Sequence, residues 1–160
     1  MNKATLVFSD MFTNFEIMAS KSKVYFFFDG ISIDLRNRGR IKQAVELIFR
    51  KEKKELDRLK YIFCNDTTLL GINKQYLKHD YYTDIITFDL SENKDRVSGE
   101  VYISVDRVRE NAAILKNSLP KELLRVIFHG ALHLCGYKDK KREEKKKMTE
   151  MEEFYLMKFK

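Results

Sequence analysis

The chain predicts an α+β fold: a small four-stranded mixed sheet, about five or six helices, and a metal site at the end of a helix in the C-terminal half. Three observations predict it. Strand-like runs and helix-like stripes are mixed along the chain, helices cluster toward the C-terminal end, and His129 and His133 sit four residues apart near the close of one helical stripe.

The elements follow in order. Val24–Phe28 is rich in β-branched and aromatic residues and stops at Asp29-Gly30, a turn signal, so it predicts the first strand. From Arg40, apolar residues at Ile41, Ala44, Val45 and Ile48 form a helical stripe that is expected to dissolve into the charged run Arg50–Arg58. Leu59–Cys64 predicts the second strand. Asn65-Asp66-Thr67 then offers caps for a short helix carrying Leu69, Leu70, Ile72 and Tyr76.

Ile85–Phe88 predicts the third strand, after the polar corner Tyr82-Thr83-Asp84. Ser91–Ser98 reads as a loop, and Gly99–Ser104 alternates as a half-buried fourth strand. Helical patterning returns over Val105–Leu115. Pro120 suits the opening of a long helix that ends near Cys135. Its core stripe is Leu124, Ile127, Phe128 and Ala131, with the histidines on the neighbouring face beside Glu122, Arg125 and Val126. Residues 138–147 are strongly basic, and a last amphipathic helix places Met148, Met151, Tyr155 and Phe159 on one side.

A length of 160 residues suits one domain with a real core, expected over residues 21–160. Residues 1–20 are expected to be an N-terminal extension without assigned function, because residues 1–17 lack a continuous apolar signal core and Met18 reads as a second start. A hydrophobic fraction of 44%, with 12 Phe and 8 Tyr, excludes a disordered chain. The net charge of +7 suits a polyanionic partner, nucleic acid before an anionic membrane; the plain alternative is a Lys-rich solvated surface. No apolar run approaches the roughly 20 residues of a membrane span, so no membrane role is expected. Cys64 and Cys135 make no disulfide framework and point to a reducing, cytoplasmic setting. Cys135 lies two residues from His133, which on a helix points it elsewhere, so it reads as a small buried hydrophobe rather than a ligand.

On a helix the four-residue spacing stacks His129 and His133 on one face, where both imidazoles can grip one ion. Gly136 breaks the helix and turns the chain to deliver Asp139 as a third ligand. Two histidines and a carboxylate with an open fourth position describe a catalytic zinc site, one Zn2+ per chain, better than a structural one. A zinc peptidase of the H-E-x-x-H type carries its base directly after the first histidine; here that residue is Gly130. Phosphodiester cleavage needs less of such a base, and the positive charge points the same way.

The run His129-Gly130-x-Leu132-His133-Leu134-x-Gly136-Tyr137 resembles the signature of the YbeY family of metal-dependent endoribonucleases. Asn73-x-x-Tyr76, Asp80, Thr83–Phe88 and Gly99–Ser104 resemble further segments of that family, and the likeness covers roughly residues 22–155 in order. It implies a single α+β domain, zinc held by three side chains and single-strand-specific cleavage of RNA. It also implies work in the bacterial cytoplasm on the ribosome or small ribosomal subunit: rRNA maturation, including 3′-end processing, and quality control. The catalytic and metal residues would be His129, His133 and Asp139.

Two positions depart from the family pattern. The motif there ends Gly-Tyr-Asp-His, whereas here Asp139 stands at the last histidine's place. The family's arginine after the Asn-x-x-Tyr tyrosine is Leu77 here, so positive charge falls to Lys74 or Lys78. Substrate contacts are therefore expected from Asn73, Lys74, Lys78 and Arg125, with capping or turn bonding as the other roles open to Asn73. Thr83 and Asp84 read either as partners of a ligand histidine or as turn formers, His79 as a surface residue, and the 138–147 run as a solvated face or an RNA-backbone contact. Two other functions compete. A zinc hydrolase such as a metallopeptidase would need a base from afar, Glu100 being nearest in kind, and a ribosome-associated binding protein would hold a structural metal.

Overall fold

Alternating apolar residues along Glu55–Cys64 (β2) and Arg96–Ser104 (β4) make these two strands buried neighbours at the centre of the sheet. The computed structural model describes residues 21–160, and the extension expected over residues 1–20 lies outside the described residues. Val24–Phe28 (β1) pairs parallel with β2, β2 pairs parallel with β4, and Ile85–Asp89 (β3) pairs antiparallel with β4, in the order β1-β2-β4-β3. The mixed four-stranded sheet is the one the sequence predicts.

Five α-helices complete the described residues: Arg38–Lys51 (α1), Asp66–Ile72 (α2), Val105–Ile114 (α3), Leu119–Leu134 (α4) and Arg142–Phe159 (α5). The main core joins the sheet to α1, α4 and α5 through residues such as Tyr61, Val101, Ile48, Ile127 and Met148. Tyr61 Oη donates to the Ile127 carbonyl at 2.8 Å, so the one polar atom of that ring is satisfied inside the core. On the opposite face of the sheet, Leu69 of α2 packs with Cys64 and Ile86.

Four boundaries differ from the sequence reading. β2 begins at Glu55, within the run where a helix was expected to fade. Its register shifts between Leu56 and Arg58, so Leu56 and Leu59 are both buried three residues apart and the two-residue alternation is masked. Arg96, the first residue of β4, reaches Glu55 and Asp57 at 3.3 and 2.9 Å, which starts β4 three residues earlier than expected. α5 starts at Arg142, inside the basic run, because Glu144 turns back and accepts from the backbone N–H groups of Lys140 and Lys141. α2 continues as a π-helical turn over Asn73–Leu77, and this wider turn leaves Tyr76 62% exposed instead of stacked with Leu69. Within α4, Val126 joins the core and Leu124 is only half-buried, a small rotation from the expected stripe.

Candidate metal centre

Helix α4 carries the two histidines, and its own termini explain where they sit. The Ser118 side chain caps its N-terminus by accepting from Lys121 N–H, with Pro120 in the first turn. At the other end Gly136 takes φ +104°, a conformation that suits glycine. Gly136 N–H then bonds the His133 carbonyl and Tyr137 N–H bonds the Leu132 carbonyl, which closes a Schellman turn. The turn sends the chain back along the helix face and delivers Asp139 to the histidines.

Asp139 Oδ2 lies 3.4 Å from both His129 Nε2 and His133 Nε2. The three ligating atoms fall within 4.8 Å of one another, a spread that one ion can bridge. Each remaining ring nitrogen has an acceptor. His129 Nδ1 donates to Glu152 Oε1 at 2.6 Å, and His133 Nδ1 donates to the Tyr137 carbonyl at 2.9 Å. With both Nδ1 atoms carrying the proton, both Nε2 lone pairs face Asp139. Burial first, and then the charge of neighbouring His129, push the His133 imidazole below its ordinary pKa, against the pull of Asp139. A neutral ring is the form that binds metal. The donor set therefore fits a single metal ion such as zinc, and the structure brings His129, His133 and Asp139 together.

Glu152 is the candidate site residue that sequence reasoning missed. It is 4% exposed on α5, and it also takes a bond from Arg125 Nη1 at 3.2 Å. Its signal was a carboxylate inside an apolar stripe, four residues after Met148 and three before Tyr155. Arg125 in turn bonds the fully buried Glu122, with its Nη2 2.6 Å from Oε1. Burial lowers the Arg125 pKa, but the bonds to Glu122 and the charge of Glu152 outweigh it and raise the value overall. Glu122, Arg125, Glu152 and His129 form one connected series across α4 and α5.

The triad opens into a cleft of about 730 Å³. Arg125, Lys138 and Lys140 line it, as do Asn73, Leu77 and Tyr81. Asn73 is 1% exposed and donates its amide to the Tyr81 carbonyl at 2.9 Å, which ties the π-helical turn to the loop before β3. Lys74 and Lys78 are not in the cleft wall. Lys74 pairs with Asp80 at 2.8 Å, and Lys78 takes a left-handed φ of 60° and donates to the Gln75 carbonyl. Thr83 bonds the Ile85 carbonyl as a turn former. Asp84 accepts from Asn111 and lies 3.8 Å from Arg125, so neither supports a histidine.

Glu100, the base considered for a peptidase, is not in the wall of this cleft. Glu100 binds Lys60 and Tyr102 and lines a different depression beside Arg58 and Arg96. Position 130 has no room for a glutamate: a Cβ there would stand 2.8 Å from Val101 Cγ1 and 3.1 Å from Ile85 Cδ1. Helix and sheet meet at that point, between the two histidines.

A family model described as endoribonuclease YbeY matches residues 29–160. A Cytophaga hutchinsonii protein named endoribonuclease YbeY is 46% identical over 133 residues, covering 83% of this chain and 93% of its own. A Porphyromonas gingivalis protein of the same name is 41% identical over 136 residues, covering 85% and 89%. The solution structure of a Thermotoga maritima protein superposes with a TM-score of 0.61 at 30% identity, covering 84% of this chain and 88% of that one. With the motif, the fold and these relatives in agreement, the chain belongs to the endoribonuclease YbeY family.

Proposed function

We propose that this protein is a zinc-dependent endoribonuclease that cuts single-stranded RNA. The observation that carries the reading is the convergence of His129 Nε2, His133 Nε2 and the Asp139 carboxylate at the wall of an open cleft that Lys138 and Lys140 border. The names of the relatives support the endoribonuclease part of it. The functional unit is a single domain over residues 21–160. By family likeness its work is rRNA maturation at the small ribosomal subunit, 3′-end processing and quality control, in the cytoplasm. Free Cys64 and Cys135 suit that reducing compartment, and no helix among the described residues is long and apolar enough to cross a membrane.

Zinc held by His129, His133 and Asp139 would supply Lewis acidity toward a phosphoryl oxygen and would lower the pKa of water toward about 7. The chain's own residues do the rest. Glu152 and the Tyr137 carbonyl hold the two imidazoles in one tautomer and one orientation. Lys138 and Lys140 draw the phosphate chain to the cleft, and Arg125 presents its partly exposed edge there. Tyr81, 58% exposed and stacked on His79 at 5.1 Å, offers a ring to a base that is free of a duplex. Asn73 serves the same wall by fixing the Tyr81 backbone.

The test is zinc content together with cleavage of a single-stranded RNA, for the unaltered protein and for His133→Ala, both purified without a chelating column. About one zinc per chain and cleavage, both lost in His133→Ala, is the expected result. Stoichiometric zinc with no cleavage would favour a binding protein with a structural metal, and absence of any bound metal would sink the mechanism.

A further inference from the structure

We infer that a basic arc running from the mouth of the cleft to the turn between α1 and β2 is the track for RNA flanking the cut site. The inference rests on the endoribonuclease reading and extends it to the substrate's path. One end of the arc is Lys138, Lys140 and Lys141, around the ligand Asp139. The other is Lys51, Lys53 and Lys54, which are far away in sequence.

Two contacts make the ends continuous. Glu52 accepts from Tyr137 Oη at 2.9 Å and from Tyr155 Oη at 2.6 Å, so the end of α1 is fastened beside the residue that precedes Lys138.

Two of the acidic residues among these cations are already engaged by other donors. Glu52 is held by the two tyrosine hydroxyls, and Glu144 by the backbone N–H groups of Lys140 and Lys141. Among the described residues, none of the six lysines forms an ion pair. Cations elsewhere do: Lys60 with Glu100, Lys74 with Asp80, Arg107 with Asp66. A row of unpaired ammonium groups that begins at a phosphodiester-cleaving centre matches a single-stranded phosphate backbone in charge and in continuity.

The test compares RNA binding in the His133→Ala background, where the strand is not consumed, with and without Lys51→Gln, Lys53→Gln and Lys54→Gln together. Fluorescence anisotropy is read with 3-nucleotide and 15-nucleotide oligouridine, with a 15-base-pair RNA duplex and with phosphatidylglycerol vesicles. The triple substitution is expected to weaken binding of the 15-mer about tenfold or more, and to lower the slope of log K against log salt by about 2, for three phosphate contacts. Binding of the 3-mer should be unchanged. Lys→Arg at the same three positions should restore the 15-mer, which separates charge from folding. An unchanged 15-mer affinity and salt slope would overturn the track. So would an equal loss for the duplex, which would make it a general polyanion patch, or a loss confined to vesicles, which would make it a membrane face. Failure of the endoribonuclease reading has its own signature: the unaltered protein would neither bind nor cut either oligonucleotide, and both conclusions would fall.

Discussion

Glu152 Oε1 lies 2.6 Å from His129 Nδ1, across the contact between α5 and α4 and 23 positions away in sequence. The contact makes the last helix part of the candidate metal centre as well as a cover for the core. It sets the tautomer of one ligand, and it supplies a counter-charge for Arg125.

Glu152→Ala is expected to weaken zinc affinity about 10- to 100-fold, since the ring it orients becomes free to turn. It should also cost about 3 kcal/mol of stability, because Arg125 loses a partner in a largely buried site. Glu152→Gln keeps an acceptor and should recover most of the affinity. A competition assay with a chromophoric chelator and a urea melt read the two effects separately. Equal zinc affinity in all three proteins would rule out the orienting role.

Gly130→Ala should destabilise the fold by about 1–3 kcal/mol, because the new methyl meets Val101 Cγ1 at 2.8 Å and a valine branch cannot swing aside. The lifted helix would carry both ligand histidines away from the sheet, so bound zinc should fall as well. Thermal unfolding and zinc content check this, and a melting temperature equal to the parent's would refute it.

Thr87→Val should leave stability unchanged or raise it by up to about 1 kcal/mol. Among the described residues, buried Thr87 Oγ1 on β3 has no hydrogen-bond partner, and valine removes that oxygen while keeping the β-branched shape. Urea unfolding measures the change. A clear loss of stability would mean that the hydroxyl has a partner in solution.

The pH dependence of stability should carry a contribution from Glu100. Burial raises its pKa, but the bonds from Lys60 and Tyr102 outweigh burial and hold it below its ordinary 4.5. A group depressed in the folded state contributes fully above its unfolded pKa, and that contribution is lost as pH falls through the folded value. The stability gap between the parent and Glu100→Gln should therefore be constant above pH 4.5 and shrink below it. A gap that is flat into strong acid would contradict the depressed pKa.

Local pattern determined much of this protein. The 3.6-residue repeat put His129 and His133 on one face of α4, and Gly136 marked the turn that brings Asp139 to them. The first strand and the cap of the short helix at Asn65 were equally legible, since each depends on neighbours a few residues away. Tertiary structure alone decided the rest. Register against β4 drew Glu55–Arg58 into a strand, because cross-strand ion pairs and a bulge override a broken alternation. Packing of α5 on α4 selected Glu152, rather than Thr83 or Asp84, as the partner of a ligand histidine. Local pairing turned Lys74 and Lys78 away from the cleft, while Glu52 drew the end of α1 beside the metal loop. Sequence periodicity reports how the backbone repeats within an element. Which side chains meet between elements depends on packing and on the pairing of buried polar groups, which only the folded chain resolves.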